Sequence, residues 1–398
     1  MSDRPKKVLI VAPQPYYRVA GTPMNVRLMI RALGELGLEV HLVSLPHGED
    51  VDEGRFYHHR SWALPGLGAV PIGFSGAKLV YDMVLALLVA SLLVRHRFAS
   101  VQAIEEAAFF ACPMARLRGA SAIMDLDSDL EHQLRASDKS VVRALAGLAN
   151  RLRRWSLSTA RCAVTVAPHL TRLVRDTAPD LKTFEIRDIP LAEATGEADP
   201  ADVERLRAEL DLEGRPTVVY TGNFDRRQGV QELIEAFATV ANEVPGAVLL
   251  LVGGEAPEVD AMRAHAQGLG LGDRVRLTGR RPPADMPAFM ALADVLVSPR
   301  LEPLVTPLKI YTYMASGRPI VATDLPTHTD VLDEMSAFLA EPTPQGLAIT
   351  LGKALRDPAE AAMRADRALA LVKQHYTYES FKRQLEAVYV YAGVLHGR

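Results

Sequence analysis

Asp125, Asp127 and Asp129 alternate along MDLDSDLEHQL, at the end of the apolar run AIMDL. Carboxylates at the end of a buried strand can take a proton from an acceptor hydroxyl or share a cation. A metal cage needs more ligands than a few local carboxylates supply, so a role toward an acceptor is favoured. His132 and the pair Glu105 and Glu106 are further candidates by the same strand-end position. A second constellation is Thr306-Pro307-Leu308-Lys309. Threonine followed by proline reads as an N-cap and first helical residue, which predicts a helix running to Ser316 and stopped by Gly317. Free backbone NH groups at that end, the helix dipole and Lys309 in the first turn suit a phosphate or diphosphate. A plain, well-capped surface helix fits the same residues. Gly253 and Gly254 after AVLLLV would let a nucleotide approach the backbone, although glycine is common at such turns without any ligand.

The elements that must position these residues follow from the hydrophobic pattern. Val8 to Ala12 is a continuous apolar run suited to a parallel strand buried on both faces, and Gly21 and Pro23 punctuate a loop. Helical spacing from Met24 ends at Gly37, and VHLVSL makes the next strand, giving a βαβ unit. Further strands are predicted at SVQAI, AIMDL, CAVTVA and FEIRDI, then at PTVVYTG, AVLLLVG, RVRLTG, DVLVSP and PIVAT, with helical patterns between them. Strands alternating with helices in two series predict an α/β protein of two doubly wound, Rossmann-like domains facing across a cleft. The expected boundaries are 1–191 for the first domain, 192–215 for a linker, 216–375 for the second domain, and 376–398 for a C-terminal helix crossing back to the first.

Composition narrows the class. The chain has 398 residues, 48% of them hydrophobic and 23% charged, with a formal net charge of −3. That balance excludes a disordered chain and a global nucleic-acid footprint. Cys112 and Cys162 are too few for a disulfide framework or a cysteine metal site and fit a reducing cytoplasm. The N-terminal run VLIVA is too short for a signal-peptide core. LVYDMVLALLVASLLV falls short of the roughly 20 residues a spanning helix needs and carries Asp82, so a buried amphipathic helix is expected. Flanking Lys78, Arg95, His96 and Arg97 leave shallow membrane contact as the alternative. Between Lys139 and Arg175 every charged residue is basic, with Leu148, Leu152, Trp155 and Leu157 interleaved. This stretch reads as a peripheral contact with anionic membrane, as a grip for a phosphate-bearing acceptor, or as a solvated helix face.

The segments VVYTGNFDRRQGVQELIEAF, LLLVGG, DRVRLTGRRPPADMPAFMALADVLVSP and YMASGRPIVAT, in that order, resemble the donor half of glycosyltransferase family 4, a GT-B-fold family of retaining sugar transferases. The first half of the chain resembles it more weakly, through VLIVAPQPYY, the Gly21 loop and GELGLEVHLVS. The resemblance implies a nucleotide-diphosphate sugar on the second domain, its diphosphate at the helix starting near Thr306. It implies donor contacts at Gly21, Thr22, Gly222, Arg280, Pro307 and Leu308. The family's phosphate-binding arginine and lysine positions read Asn223 and Gln228, and Arg226 and Arg227 between them would supply the charge. Of the family's two donor-site glutamates, the first falls at Leu304, with Glu302 close by, and the second at Thr312.

The catalytic candidates are therefore Glu302, Lys309 and Asp127, and the acceptor candidates Asp125, Asp127, Asp129, His132 and Glu105. No metal and no cofactor beyond the donor sugar is expected. The function expected is sugar transfer to a hydroxyl acceptor in bacterial polysaccharide, glycolipid or cell-envelope synthesis, in the cytoplasm or at the inner face of the plasma membrane. A non-catalytic partner of the same fold and a nucleotide-sugar epimerase are the alternatives. An NAD oxidoreductase is disfavoured because neither first strand leads into G-x-G-x-x-G.

Overall fold

The structure is a computed structural model that describes residues 5–16, 21–48, 56–67, 76–135, 140–302 and 306–396. The chain forms two compact units, Met1–Asp188 together with Tyr378–Arg398, and Ile189–Thr377.

The first unit is built on a parallel sheet of β1 (Lys7–Pro15), β2 (Glu39–Leu45), β3 (Phe56–Arg60), β4 (Ser100–Ile104), β5 (Ser121–Leu126), β6 (Cys162–Thr165) and β7 (Thr183–Glu185). Its order is β3-β2-β1-β4-β5-β6-β7, so the winding reverses between β1 and β4. Ligands of such sheets sit outside the carboxyl ends of the strands at that switch point. Helix Tyr378–Tyr391 buries Phe381, Leu385, Val388 and Tyr389. It is pinned to this unit by Tyr389 OH donating to Gln102 Oε1 at 2.8 Å and Ser121 Oγ donating to the Ala392 carbonyl at 2.6 Å.

The second unit carries β8 (Thr217–Thr221), β9 (Val248–Val252), β10 (Val275–Gly279), β11 (Val295–Ser298), β12 (Ile320–Thr323) and β13 (Phe338–Ala340), in the order β10-β9-β8-β11-β12-β13. Side chains of a strand alternate between faces. Leu249 and Leu251 accordingly enter one hydrophobic core, with Phe237 and Val297, while Val248, Leu250 and Val252 enter the other, with Phe289 and Tyr311. Both faces are covered, which is why β9 reads as an uninterrupted apolar run.

Several expectations change. Gly21 to Pro23 is the first turn of helix Gly21–Glu35 rather than a loop. Residues 192–215, expected as a linker, belong to the second unit: helix Pro200–Glu209 follows Asp199, whose carboxylate accepts from Ala201 N, and Leu206 and Leu212 are buried in its core. The edge strands β3 and β13 were not expected. FYHHR has no apolar alternation, and FLA is only three residues long. Helix Gly76–Arg95 packs Tyr81, Leu85, Val89, Leu92 and Leu93 inward.

Candidate active site

In the second unit, the loops after β8, β9 and β11 are locked together by glycines. A Cβ on Gly253 (φ +125°) would lie 1.9 Å from the Gly222 carbonyl oxygen, and one on Gly229 (φ +71°) 2.0 Å from the Pro299 carbonyl oxygen. A Cβ on Gly254 would enter the Phe224 ring. Packing between the loops is therefore by itself a reason for glycine at both positions. Asn223 closes the same turn, its carbonyl accepting from Tyr220 OH at 2.6 Å.

Helix Leu308–Ala315 begins one residue later than predicted. Pro307, not Thr306, is its N-cap, no side chain among the described residues caps it, and Ser316 and Gly317 (φ +66°) end it. Thr306 is buried and its hydroxyl has no hydrogen-bond partner among the described residues. Lys309 points under the β8 turn: its Nζ lies 3.9 Å from the centroid of the Tyr220 ring and donates to Gln228 Oε1 at 3.3 Å. A carboxylate partner for this ammonium is lacking among the described residues. Burial, with Arg300 nearby, holds its pKa well below the usual lysine value. The position where a lysine was expected from the resemblance is Gln228, which accepts from Lys309; a second ammonium there would oppose it.

Arg226 and Arg227 do not bring free charge. Arg227 binds Asp225 through Nε at 2.8 Å and Nη2 at 3.2 Å, and Arg226 lies 3.5 Å from Glu232. A cation not singled out in the sequence is Arg300, two residues after β11, whose Nη1 donates to Thr327 Oγ1 at 3.3 Å and whose pKa burial lowers. Its place at the carboxyl end of an apolar strand was the available signal. The loop is braced by His328, buried and pushed down to about pKa 3 by desolvation. His328 Nε2 therefore accepts from Ser298 Oγ at 2.9 Å while Nδ1 donates to the Thr323 carbonyl at 2.8 Å.

The remaining donor candidates are less engaged. Thr312 is buried and its hydroxyl donates to the Leu308 carbonyl of its own helix at 3.3 Å. Arg280 is exposed, 3.5 Å from Glu255. Glu302 is exposed, and Leu304 lies outside the described residues.

In the first unit, carboxylates gather at the carboxyl ends of β4 and β5. Asp125 is 1% exposed, with Oδ2 accepting from Gln102 Nε2 at 2.7 Å and Oδ1 without a partner among the described residues. Glu105 accepts from Ser128 Oγ at 2.8 Å and Gln14 Nε2 at 3.3 Å. Asp127 accepts from the Thr22 side chain. Burial raises Asp125 to about 7, and burial followed by the neighbouring Asp125, Glu105 and Asp188 raises Asp127 well above the ordinary aspartate value. Asp188, in the predicted strand FEIRDI but beyond the observed end of β7, is raised to about 7 by burial and by Asp125. Glu106 is ion-paired with Lys78. Two further acceptor candidates stand apart from this cluster. Asp129 accepts from His132 N at 3.2 Å and pairs with Arg153, which also binds Glu131, while the His132 side chain is exposed. Gly21 and Thr22 sit in the first turn of their helix. Among the described residues no group of three or more His, Cys, Asp or Glu is arranged to hold a metal ion.

The acid cluster has a measurable consequence. Folded Asp188 keeps its proton up to about pH 7, whereas the unfolded chain gives it up near 3.8. Between these values the folded state binds more protons, so its contribution to stability is full at low pH and is lost as pH rises. Asp188→Asn should therefore raise the melting temperature at pH 8, by about 2 to 4 °C if about 1 kcal/mol is recovered, and leave it unchanged at pH 4. Equal melting shifts at both pH values would contradict the assignment.

Two parallel α/β units of seven and six strands define a GT-B fold, and the solved structures that share it cover nearly the whole chain. Sucrose-phosphate synthase from Thermosynechococcus elongatus superimposes with a TM-score of 0.77 at 20% identity, over 96% of this chain and 98% of that one. The family model of glycosyl transferases group 1 matches residues 215–357, within the second unit. The 2-deoxystreptamine glucosyltransferase of Streptomyces kanamyceticus is 28% identical over 227 residues, 55% of this chain and 58% of that protein. The GDP-mannose-dependent alpha-(1-6)-phosphatidylinositol monomannoside mannosyltransferase of Mycobacterium tuberculosis is 38% identical over 101 residues, 25% of this chain and 26% of that protein. The chain thus matches little more than half the length of the one and about a quarter of the other.

Proposed function

We propose that this protein is a glycosyltransferase of the family 4 type that moves a sugar from a nucleotide-diphosphate sugar to a hydroxyl acceptor with retention at the sugar carbon. The observation that carries the reading is Lys309, a buried ammonium with no carboxylate among the described residues, at a helix N-terminus that none of their side chains caps. The buried hydroxyl of Thr306 beside it, with no partner among the described residues, supports the same reading. A diphosphate would supply the missing anion. As the glycosidic bond breaks, the departing diphosphate gains negative charge, and Lys309, Arg300 and the helix dipole would stabilise it electrostatically. The likeness to two sugar transferases, one of them named for a GDP-mannose donor, supports this donor class.

On the acceptor side, Asp127 is the base in this proposal. Burial and neighbouring carboxylates raise its proton affinity, which suits it to receive the acceptor's hydroxyl proton once ionised. Glu105 would hold the acceptor, the buried Asp125 would act through Asp127 by raising its proton affinity, and Glu302 would reach the donor sugar. The mechanism uses no metal. The acceptor we propose is a lipid-linked or polysaccharide precursor at the inner face of a bacterial plasma membrane.

The test is thermal stabilisation of the purified protein by a panel of nucleoside diphosphates and their sugars, since a ligand bound only by the folded state raises the melting temperature. A selective rise with one base, and release of its diphosphate on transfer, is expected. No rise with any member, in protein that melts cooperatively, would contradict the proposal and favour a non-catalytic partner.

A further inference from the structure

Three helices of the first unit leave an apolar and basic surface uncovered. Helix Ala108–Leu117 packs against both Gly76–Arg95 and Ala146–Thr159. Its carboxyl end is tied to the ends of both, with Arg118 Nε donating to the Leu93 carbonyl and Arg116 Nη1 to the Ser158 carbonyl, each at 3.0 Å. Leu117 is 86% exposed there, between Val94 at 70% and Trp155 at 51%. The stripe continues along the first helix through Leu87, Met83 and Leu79, at intervals that keep one face. These residues stand opposite the inward-facing Tyr81, Leu85 and Val89.

The charge on this surface has one sign. Arg95, Arg97, Arg116, Arg118, Arg151 and Arg154 are all exposed. The only carboxylate within the three helices is Asp82, and it is partly buried. This redraws the basic stretch seen in the sequence: Arg153 turns inward to Asp129 and Glu131, whereas Arg151 and Arg154 join the arginines at the ends of the neighbouring helices.

We propose that this face docks on a bilayer carrying anionic lipid headgroups, with Leu117, Val94 and Trp155 entering the interface and the arginines meeting the headgroups. Exposed apolar area ringed by cations is the composition of an interfacial membrane surface. A second copy of the chain is disfavoured as the occupant because a two-fold contact would set arginine against arginine. Helix Gly76–Arg95 is long and apolar enough to cross a membrane by length and composition, but its inward face is part of the unit's core, so it lies on the bilayer in this proposal.

The experiment is flotation of the full chain with vesicles of equimolar phosphatidylcholine and phosphatidylglycerol, and with phosphatidylcholine alone. The protein should float with the anionic vesicles only, and added salt should release it. Leu117→Glu with Trp155→Glu should lower the bound fraction about tenfold, without changing the melting temperature or nucleotide binding. Protein that stays unbound with anionic vesicles overturns the inference, as does a double variant that floats like the parent. So does a dimer, seen by sedimentation, that the double variant abolishes, because the face would then belong to a second copy. Each of these results leaves the nucleotide-sugar reading standing, since that reading is tested by nucleotide binding.

Discussion

Lys309→Met should make the protein more stable and unable to hold a nucleoside diphosphate. The ammonium is buried, and Gln228 Oε1 and the Tyr220 ring are the partners the structure gives it, neither of them an anion. A charge held that way destabilises the folded state, and an apolar side chain of similar length removes the cost while keeping the helix packed. The same change deletes the charge-assisted contact to the diphosphate, and truncating one partner of a buried charge pair lowers affinity by about a hundredfold or more. Calorimetric titration and thermal melting read the two effects separately. A variant that melts lower and binds nucleotide as before would show that Lys309 is a structural residue. A second readout follows from the depressed pKa of Lys309. An arriving anion raises it, so binding should take up a proton at alkaline pH, and the measured enthalpy should then vary with the ionisation enthalpy of the buffer.

Gly253→Ala should cost the second unit about 3 kcal/mol or more, through steric overlap together with a backbone angle that alanine resists. The added carbon would stand 1.9 Å from the Gly222 carbonyl oxygen, which is backbone and cannot swing aside. Gly270 provides the control. It has φ +71° with nothing within 4 Å of the added carbon, so Gly270→Ala should cost only about 1 kcal/mol. Urea denaturation of both variants separates strain from overlap. Equal losses would mean that the β8 and β9 loops yield to each other easily, and that the pair Gly253 and Gly254 is not fixed by packing.

Much of this fold was legible because a parallel sheet covered on both faces writes itself as apolar runs. SVQAI coincides with β4 and AVLLLVG encloses β9, since every side chain in those strands is buried. The edge strand β3 escaped because an edge need not be apolar, FYHHR carrying two histidines and staying half-exposed, and β13 escaped because FLA is only three residues long. The proline-marked helix start was placed within one residue, but the capping role was given to the wrong side chain, since Thr306 is drawn into the interior and Pro307 takes the N-cap position.

The candidate site was legible where chemistry is local and illegible where it depends on pairing. Lys309 stood out in the first turn of its helix. Nothing in the order of residues said that Arg227 is neutralised by Asp225, or that Asp129 is committed to Arg153. Asp188 and Arg300 joined their clusters through tertiary packing, from positions with no motif of their own. The expected glutamate contacts reduce to Glu302, exposed, and to Thr312, whose hydroxyl turns back on its own helix.

The most direct measurement is a crystal structure of the protein with the nucleoside diphosphate that stabilises it most. The diphosphate should lie against the backbone NH groups of Leu308 and Lys309, with a phosphate oxygen in hydrogen-bond reach of Lys309 Nζ and of Thr306 Oγ1. A nucleotide bound elsewhere, with Lys309 still resting on Tyr220 and Gln228, would contradict that placement.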